Sequence, residues 1–268
     1  MDAAASSPPA PAERSRPIRI AAVGDLHAGR TSQGELVELF ASLGRSADIL
    51  ALCGDLTHQG RPDQMREVVG ALAGIEVPIV AVLGNHDHES GEADELVAIL
   101  EDRGVHVLDG DNTVIEGIGF AGIKGFGGGF GRFSINPAGE PRLREFVAEA
   151  VDQALRLEDA LRTLTTDEKV VLMHYAPIPA TIRGEPREFY PLLGSSRFLP
   201  PLETYDASVV FHGHAHYGTP HGRTPGGIDV YNVALPLLQR NGETVRRWTG
   251  RAPERRAPGD GRAERSTE

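Results

Sequence analysis

Side chains of the kinds that bind metal ions recur in five separate segments of the chain. Each segment holds Asp, Asn or His in close succession: Asp25-Leu26-His27, Gly54-Asp55, Gly84-Asn85-His86-Asp87, His174, and Gly213-His214-Ala215-His216. Carboxylate and imidazole ligands without thiolates suit manganese, iron or zinc ions and argue against a structural zinc finger. The residue types therefore predict a site for transition metal ions.

A pair of metal ions would account for this mix of residue types. Two cations held about 3.5–4 Å apart repel each other, so a shared carboxylate and a shared hydroxide must lie between them. A single Asp after a strand is more often a helix cap, and a single His is more often structural. Seven such residues in this order are hard to obtain by chance, and together they predict a dinuclear centre.

A short apolar run precedes each of these segments. The runs are too short for helices and predict strands at 18–23, 49–52, 79–83, 170–173 and 208–211. Amphipathic stretches predict helices at 31–43, 63–73, around 94–101, and at 141–164. Ligands of an open α/β sheet bind outside the carboxyl ends of its strands. The alternation therefore predicts an α/β fold that delivers the five segments to one edge.

Local signals refine this prediction. Ser32 and Glu35 have the spacing of a capping box at the start of the first helix. Strands at 113–115 and 119–123 are separated by a Glu-Gly turn, which predicts an antiparallel hairpin. A further strand is expected at 228–233. The long helix is expected to have one apolar face, formed by Leu143, Phe146, Val147, Ala150, Val151, Ala154 and Leu155.

Glycine stands directly before several of the predicted ligands. Gly24, Gly54, Gly84 and Gly213 each occupy that position. A residue without a side chain lets the backbone turn sharply and approach neighbouring groups closely. We therefore expect the backbone to be crowded at these four positions.

The composition is that of a globular protein, with 40% hydrophobic and 24% charged residues. No run of about 18 apolar residues predicts a membrane span, and the N-terminus lacks the pattern of a secretory signal. Cys53 is the only cysteine, which excludes an internal disulfide and fits a reducing compartment. We therefore expect a cytoplasmic protein. A net charge of −11 gives no electrostatic reason to expect binding to nucleic acid.

The ends of the chain differ in composition from its centre. Residues 1–16 are mostly Ala, Ser and Pro and predict a disordered N-terminal arm. Residues 251–268 are rich in Arg, Glu, Gly and Pro and predict a disordered charged C-terminal tail. The intervening residues 17–250 contain no linker and no internal repeat, so they predict one domain.

The five segments, in their order, resemble the motifs of the calcineurin-like metallophosphoesterases, with no departure at any ligand. The resemblance covers roughly residues 18–238 and implies a four-layer α/β/β/α sandwich of two mixed sheets flanked by helices. It implies that Asp25, His27, Asp55 and His216 hold one metal ion, and that Asp55, Asn85, His174 and His214 hold the other. Asp55 is then the bridge between them. His86 matches the catalytic histidine of the family, and Asp87 matches the acid that orients it.

The implied reaction is hydrolysis of a phosphate ester by a metal-held hydroxide. Two cations lower the pKa of a bridging water towards neutrality. A protonated His86 can donate to the leaving oxygen, and Asp87 beside it would fix the tautomer of the ring. A small phosphodiester is the favoured substrate, and a phosphomonoesterase or protein phosphatase is the alternative. A non-catalytic interaction module on the same fold is the alternative of another class. The sequence identifies neither the substrate, nor the metals, nor the oligomeric state.

Two glycine-rich stretches have part of a nucleotide-binding pattern. Gly117–Gly122 fits G-x-G-x-x-G but lies within the predicted hairpin, where no helix can open. Gly125–Gly131 lacks the G-K-[ST] ending of a P-loop. It predicts a loop, with a lid over the metals as the alternative.

Several polar residues lie outside the five segments. Arg30, Tyr175 and Tyr217 stand next to them and are candidates for contact with substrate. The remaining histidines, among them His58, are interpreted as surface, core or supporting groups.

Overall fold

The structure is a computed structural model that describes residues 16–252. Its strands in that range are β1 (Arg16–Val23), β2 (Ile49–Cys53), β3 (Ile79–Val82), β4 (His106–Val107), β5 (Asp111–Ile115), β6 (Ile118–Gly122), β7 (Lys169–Leu172), β8 (Val209–His212), β9 (His221–Arg223), β10 (Asp229–Asn232) and β11 (Arg246–Ala252). Its helices are α1 (Gln33–Gly44), α2 (Pro62–Ala71), α3 (Ala93–Asp102), α4 (Pro141–Arg162), α5 (Tyr190–Leu193), α6 (Leu199–Thr204) and α7 (Leu235–Arg240).

The strands form two mixed sheets. The first has the order β11-β1-β2-β3-β4, with β11 antiparallel to β1 and the other pairs parallel. The second has the order β5-β6-β7-β8-β10-β9, in which both edge strands are antiparallel to their neighbours. The predicted hairpin is confirmed as β5–β6, and the G-x-G-x-x-G stretch lies within it.

The sheets pack face to face, with helices on their outer sides. Side chains in β7 alternate in direction: Val170 and Leu172 enter the core shared with the first sheet, whereas Val171 packs in the core beneath α4 and α6. Helices α1, α2 and α3 bury apolar residues against the first sheet. The predicted α/β/β/α sandwich is therefore confirmed, and the parallel strands of both sheets end near one another.

Local sequence signals account for where the helices begin. Ser32 Oγ accepts a hydrogen bond from the N–H of Glu35 at 3.3 Å, and the N–H of Ser32 donates to Glu35 Oε2 at 2.9 Å, so the predicted capping box is confirmed. Pro62 and Pro141 open α2 and α4, positions where a missing N–H costs nothing.

The buried face of α4 agrees only in part with the prediction. Val147 and Ala150 are buried as predicted, whereas Leu143, Val151 and Leu155 are exposed. The apolar residues of this helix extend around more of its circumference than the sheet covers. The register of the helix on β5 and β6 therefore decided which of them became core.

The sheet extends slightly beyond the predicted domain boundaries. Arg16 lies in β1, and Arg251 and Ala252 lie in β11, which pairs with β1 along its length. The predicted arm and tail otherwise lie outside the described residues. From residue 16 to residue 252, no helix is long and apolar enough to cross a membrane.

Candidate metal centre

The predicted ligands meet at one edge of the fold, where strands of both sheets end. Strands β1, β2 and β3 of the first sheet and β7 and β8 of the second each lead into one of the five segments. Three groups of described residues form, each with ligand atoms within 4.8 Å of one another: Asp25, His27 and His216; Asp55, His174 and His214; and His27, His58 and His86. Asn85 joins the second group, because its Oδ1 lies 3.0 Å from His174 Nε2.

Asp55, a member of the second group, also faces His27 of the first. Its Oδ1 is 3.3 Å from His174 Nε2, and its Oδ2 is 4.0 Å from His27 Nε2. In the first group, His216 Nε2 lies 2.8 Å from Asp25 Oδ1 and 3.5 Å from His27 Nε2. The two oxygens of one carboxylate therefore face different sets of imidazoles.

The backbone at this edge is in an unfavourable conformation. Six non-glycine residues of the described range have a positive φ, and four belong to this site: Asp25 (57°), His27 (46°), Asp55 (49°) and His214 (70°). Such a conformation costs about 1–3 kcal/mol per residue and persists only where the surroundings enforce it. Here the N–H of Asp25 donates to Gly54 O, and the N–H of His27 donates to Asp55 O, which ties the first two turns together.

The glycines of these segments allow close approach, as predicted. A Cβ built on Gly84 would lie 2.2 Å from Asp55 Oδ1, and one on Gly213 would lie 2.3 Å from Asp25 Oδ2. Ordinary carbon contacts begin at 3.4 Å. Any residue larger than glycine at position 84 or 213 would therefore overlap one of these two carboxylates.

The carboxylates are held ionised at neutral pH. Burial alone raises the pKa of Asp55, but the charge and hydrogen bond of His174 outweigh it and hold this pKa well below its usual range. Burial also raises the pKa of Asp25, but the hydrogen bond from His216 and the charges of His174 and His216 together hold this pKa below its usual value. Burial lowers the pKa of His27 to about 4 and that of His214 to about 3, so both rings are neutral.

These residues fit metal ions. Ionised carboxylates and neutral imidazoles are the forms that bind cations, and the buried Nδ1 of His27 has no hydrogen-bond partner. His174 differs, because Asp55 overcomes the effect of burial and raises its pKa to about 9. In the metal-free protein this ring carries a proton between Asp55 and Asn85. A cation that binds there replaces that proton.

Asp87, the acid expected to orient His86, binds the backbone of two neighbouring turns. Its carboxylate is fully buried and accepts hydrogen bonds from the N–H groups of Leu56, Thr57 and Gly84 at 3.1, 2.8 and 2.8 Å. It also accepts one from the hydroxyl of Thr57 at 2.7 Å. Asp87 thus holds the turn after β2 against the turn after β3. Its described hydrogen bonds do not include the expected one to the ring of His86.

Two groups outside the predicted catalytic and metal-binding residues hold that ring. His86 Nδ1 lies 2.8 Å from the carbonyl oxygen of His58 and 3.0 Å from Glu89 Oε1, while its Nε2 faces Asp55 Oδ2 at 4.0 Å. The ring of His58 also stacks on that of His86, with centroids 5.5 Å apart. Glu89 could have been noticed from its spacing of three residues from His86, which lets the two side chains meet on one helical turn.

The other candidates have distinct positions. Arg30 and Tyr217 line a cavity of about 710 Å³ that also contacts His27 and His216. Tyr175 is buried, with its ring centroid 4.4 Å from that of His214, and so packs behind a predicted ligand.

The Gly125–Gly131 segment is a loop with fixed backbone contacts. The N–H of Gly128 donates to Pro191 O at 2.7 Å, and that of Gly129 donates to Gly194 O at 2.9 Å. The segment therefore supports the chain around α5. Within α5, the carbonyl oxygen of Leu192 lies 3.2 Å from Nε2 of His214. This arrangement favours the loop over the lid.

Two mixed sheets with Asp, Asn and His gathered at their common edge define a metallophosphatase-type α/β protein. Comparison with known families agrees: the sequence model described as calcineurin-like phosphoesterase matches residues 18–218, about three quarters of the chain. The chain belongs to the calcineurin-like phosphoesterase family. It is a metal-dependent hydrolase of phosphate esters.

Solved structures share the fold. One crystal structure with 12% sequence identity superposes with a TM-score of 0.60 and covers 87% of this chain and 99% of its own. The protein TT1561 of Thermus thermophilus is 19% identical, with a TM-score of 0.50 and coverage of 87% and 98%. Likeness at these identities shows the fold alone. Among curated protein sequences, none matches this chain.

Proposed function

We propose that the chain is a dinuclear phosphodiesterase. The observation that carries this proposal is the position of Asp55, whose Oδ1 faces His174 at 3.3 Å and whose Oδ2 faces His27 at 4.0 Å. A carboxylate between two sets of imidazoles is suited to bridge two cations, which otherwise repel each other. The proposed ligands are Asp25, His27, Asp55 and His216 for one ion, and Asp55, Asn85, His174 and His214 for the other.

Two bound ions would supply Lewis acidity towards the phosphate oxygens and would lower the pKa of a coordinated water. The chain keeps their ligands in place. Asp25 accepts hydrogen bonds from the N–H of His214 at 3.1 and 2.9 Å, and Asp55 accepts one from the N–H of His86 at 2.8 Å. Neither carboxylate can rotate without breaking these bonds.

His86 is proposed to protonate the leaving oxygen. The carbonyl oxygen of His58 can only accept a hydrogen bond, so His86 Nδ1 carries a proton and donates it to that oxygen. A second proton, on Nε2, is then available only when the ring is positively charged. The carboxylate of Glu89, 3.0 Å from Nδ1, attracts that charge. As water attacks phosphorus and the P–O bond to the leaving alcohol breaks, the Nε2 proton passes to the alcohol oxygen.

The surroundings of the site favour a diester over a monoester. A cavity of about 710 Å³ and a pocket of about 550 Å³ both open beside His216 and Tyr217. A diester has two substituents on phosphorus, and each can occupy one of these spaces. A monoester, the alternative substrate, would leave one of them empty.

The test compares the two substrate classes on protein of known metal content. The protein is loaded with manganese, iron or zinc, its metal is quantified by elemental analysis, and rates are measured with bis(p-nitrophenyl) phosphate and p-nitrophenyl phosphate. We expect two ions per chain and faster hydrolysis of the diester. Asp55→Asn, which keeps the size of the side chain but removes its charge, is expected to lose metal and activity together.

Other results would contradict the proposal. Hydrolysis of the monoester alone would favour a phosphomonoesterase. Two bound ions without turnover of either ester would favour the non-catalytic module. A single ion, with full activity retained by Asp55→Asn, would remove the bridging role of that carboxylate.

Two finer points belong to the same proposal. The choice among manganese, iron and zinc is supported only by the mixed imidazole and carboxylate ligands. A cytoplasmic location is supported by Cys53, a buried cysteine that forms no disulfide. Elemental analysis of protein purified without added metal tests the first point, and cell fractionation tests the second.

A further inference from the structure

We infer that the substituent that stays on phosphorus carries an aromatic ring, and that this ring binds in an apolar pocket beside the metal centre. The inference rests on the proposed hydrolysis of a diester and specifies its substrate class. The pocket measures about 550 Å³, and Pro186, Phe189, Leu193 and Tyr217 give it an apolar lining.

The pocket is continuous with the metal centre. His214 and His216, which are proposed ligands of different ions, form part of its lining. His27, whose ring centroid lies 4.8 Å from that of His86, lines the larger cavity but not this pocket. The larger cavity is therefore the space nearer to the histidine proposed to protonate the leaving oxygen. A group bound in the apolar pocket is the one retained on phosphorus, and the product is its monoester.

Two exposed aromatic side chains favour a flat ring as the occupant. Tyr217 is 63% exposed and Phe189 is 54% exposed, although both line a concave apolar surface. Large aromatic side chains left in water next to a binding centre gain free energy when a ligand covers them. Their ring faces and edges suit another planar ring, which can stack on one of them or meet it edge-on.

The rim of the pocket is fixed before any ligand arrives. The N–H of Tyr217 donates to Glu185 Oε1 at 2.6 Å, and the guanidinium of Arg240 lies 4.7 Å from the centroid of the tyrosine ring. Gly184 packs so closely that a Cβ on it would lie 2.1 Å from Tyr217 O. The first and third contacts fix the backbone of Tyr217, and Arg240 lies against its ring, so less side-chain freedom is lost when a ring binds.

The test uses three diesters that share p-nitrophenolate as the leaving group. Their retained substituents are methyl, phenyl and thymidine 5′-yl, and release of p-nitrophenolate by the metal-replete full chain gives kcat/KM for each. We expect kcat/KM for the phenyl ester to exceed that for the methyl ester by about tenfold, as for a ring that stacks on aromatic side chains. A similar advantage for the thymidine ester would identify a nucleobase as the source of the ring, and its absence would identify a simple aryl group.

Variants assign the effect to the pocket. Tyr217→Leu and Phe189→Leu retain apolar bulk but remove the ring, and each should lower the phenyl-to-methyl ratio by about threefold to tenfold. Phe133→Ala is the matched control, because Phe133 is a 73% exposed aromatic residue that lines neither space. Its ratio should equal that of the unaltered protein.

The outcomes separate this inference from the proposed function. Equal kcat/KM for the phenyl and methyl esters would overturn the aromatic pocket while leaving the phosphodiesterase intact. A ratio that falls equally in Phe133→Ala, or that does not change in either leucine variant, would also overturn it. Cleavage of p-nitrophenyl phosphate with no cleavage of any diester would overturn the proposed function itself.

Discussion

The substitution Gly84→Ala tests how closely the site depends on the packing around Asp55. The added Cβ would lie 2.2 Å from Asp55 Oδ1 and 2.3 Å from Asp55 N, about 1.2 Å short of the 3.4 Å at which ordinary contact begins. Both atoms belong to the same residue, so rotation of the carboxylate relieves only one of the two clashes. The φ of Gly84 is not positive, so backbone conformation adds no further obstacle. The backbone of Asp55 must therefore move by about 1 Å.

Such a movement displaces the one carboxylate proposed to serve both metal ions. A misplacement of about 1 Å can lower a rate by about a hundredfold, and overpacking of this kind costs about 1–3 kcal/mol in stability. We therefore expect Gly84→Ala to bind fewer than two ions and to lose at least about a hundredfold in kcat/KM. Elemental analysis, rates with bis(p-nitrophenyl) phosphate and thermal unfolding measure the three effects.

Gly34→Ala is the matched control. Gly34 lies in α1, and a Cβ built on it meets no heavy atom within 4 Å. This variant should retain both ions and full activity, and it should gain about 0.5–1 kcal/mol because alanine favours the helix. If Gly84→Ala also kept two ions and wild-type kcat/KM, the crowding of Asp55 would not matter to the site and the reasoning would fail.

His86, its neighbours and the pH dependence of stability give further tests. His86→Ala should keep its metal ions but lower kcat by about 10²–10⁴-fold, and unchanged turnover with metal bound would remove His86 from the mechanism. Glu89→Gln should lower kcat about tenfold without changing Tm. Asp87→Asn should instead lower the free energy of unfolding by about 1–3 kcal/mol, because buried N–H groups lose their acceptor. A lower kcat with an unchanged free energy of unfolding would instead show that Asp87 orients His86. In the metal-free protein the raised pKa of His174, about 9, contributes stability that is present below the unfolded value near 6.5 and lost as the pH rises through about 9. Urea unfolding of the chelator-treated protein at both ends of this pH range should show that loss of stability. The His174→Gln variant, treated in the same way, should not show it.

Local sequence signals were sufficient for much of the fold. Apolar runs identified the strands that lead into the site, and the capping box of Ser32 and Glu35 identified the start of α1. The strands β4, β9 and β11 were not predicted. β4 is only two residues long, and β11 has the polar, arginine-rich sequence of an exposed edge strand. Their pairing with distant strands stabilises them, and a local pattern does not contain that information.

The sequence by itself nominated the candidate metal ligands, because residue type and position at a strand end suffice to nominate a ligand. All seven nominated ligands meet at one edge. Only the tertiary structure decided which polar groups face one another across that edge. Asp87, adjacent to His86 in the chain, points away to bind the turn after β2, whereas His58 and Glu89 hold the ring. The aromatic pocket likewise joins Phe189 and Tyr217 from separate loops. The direction in which a side chain points depends on backbone torsions and packing between distant segments, and neighbouring residues in a sequence do not fix either.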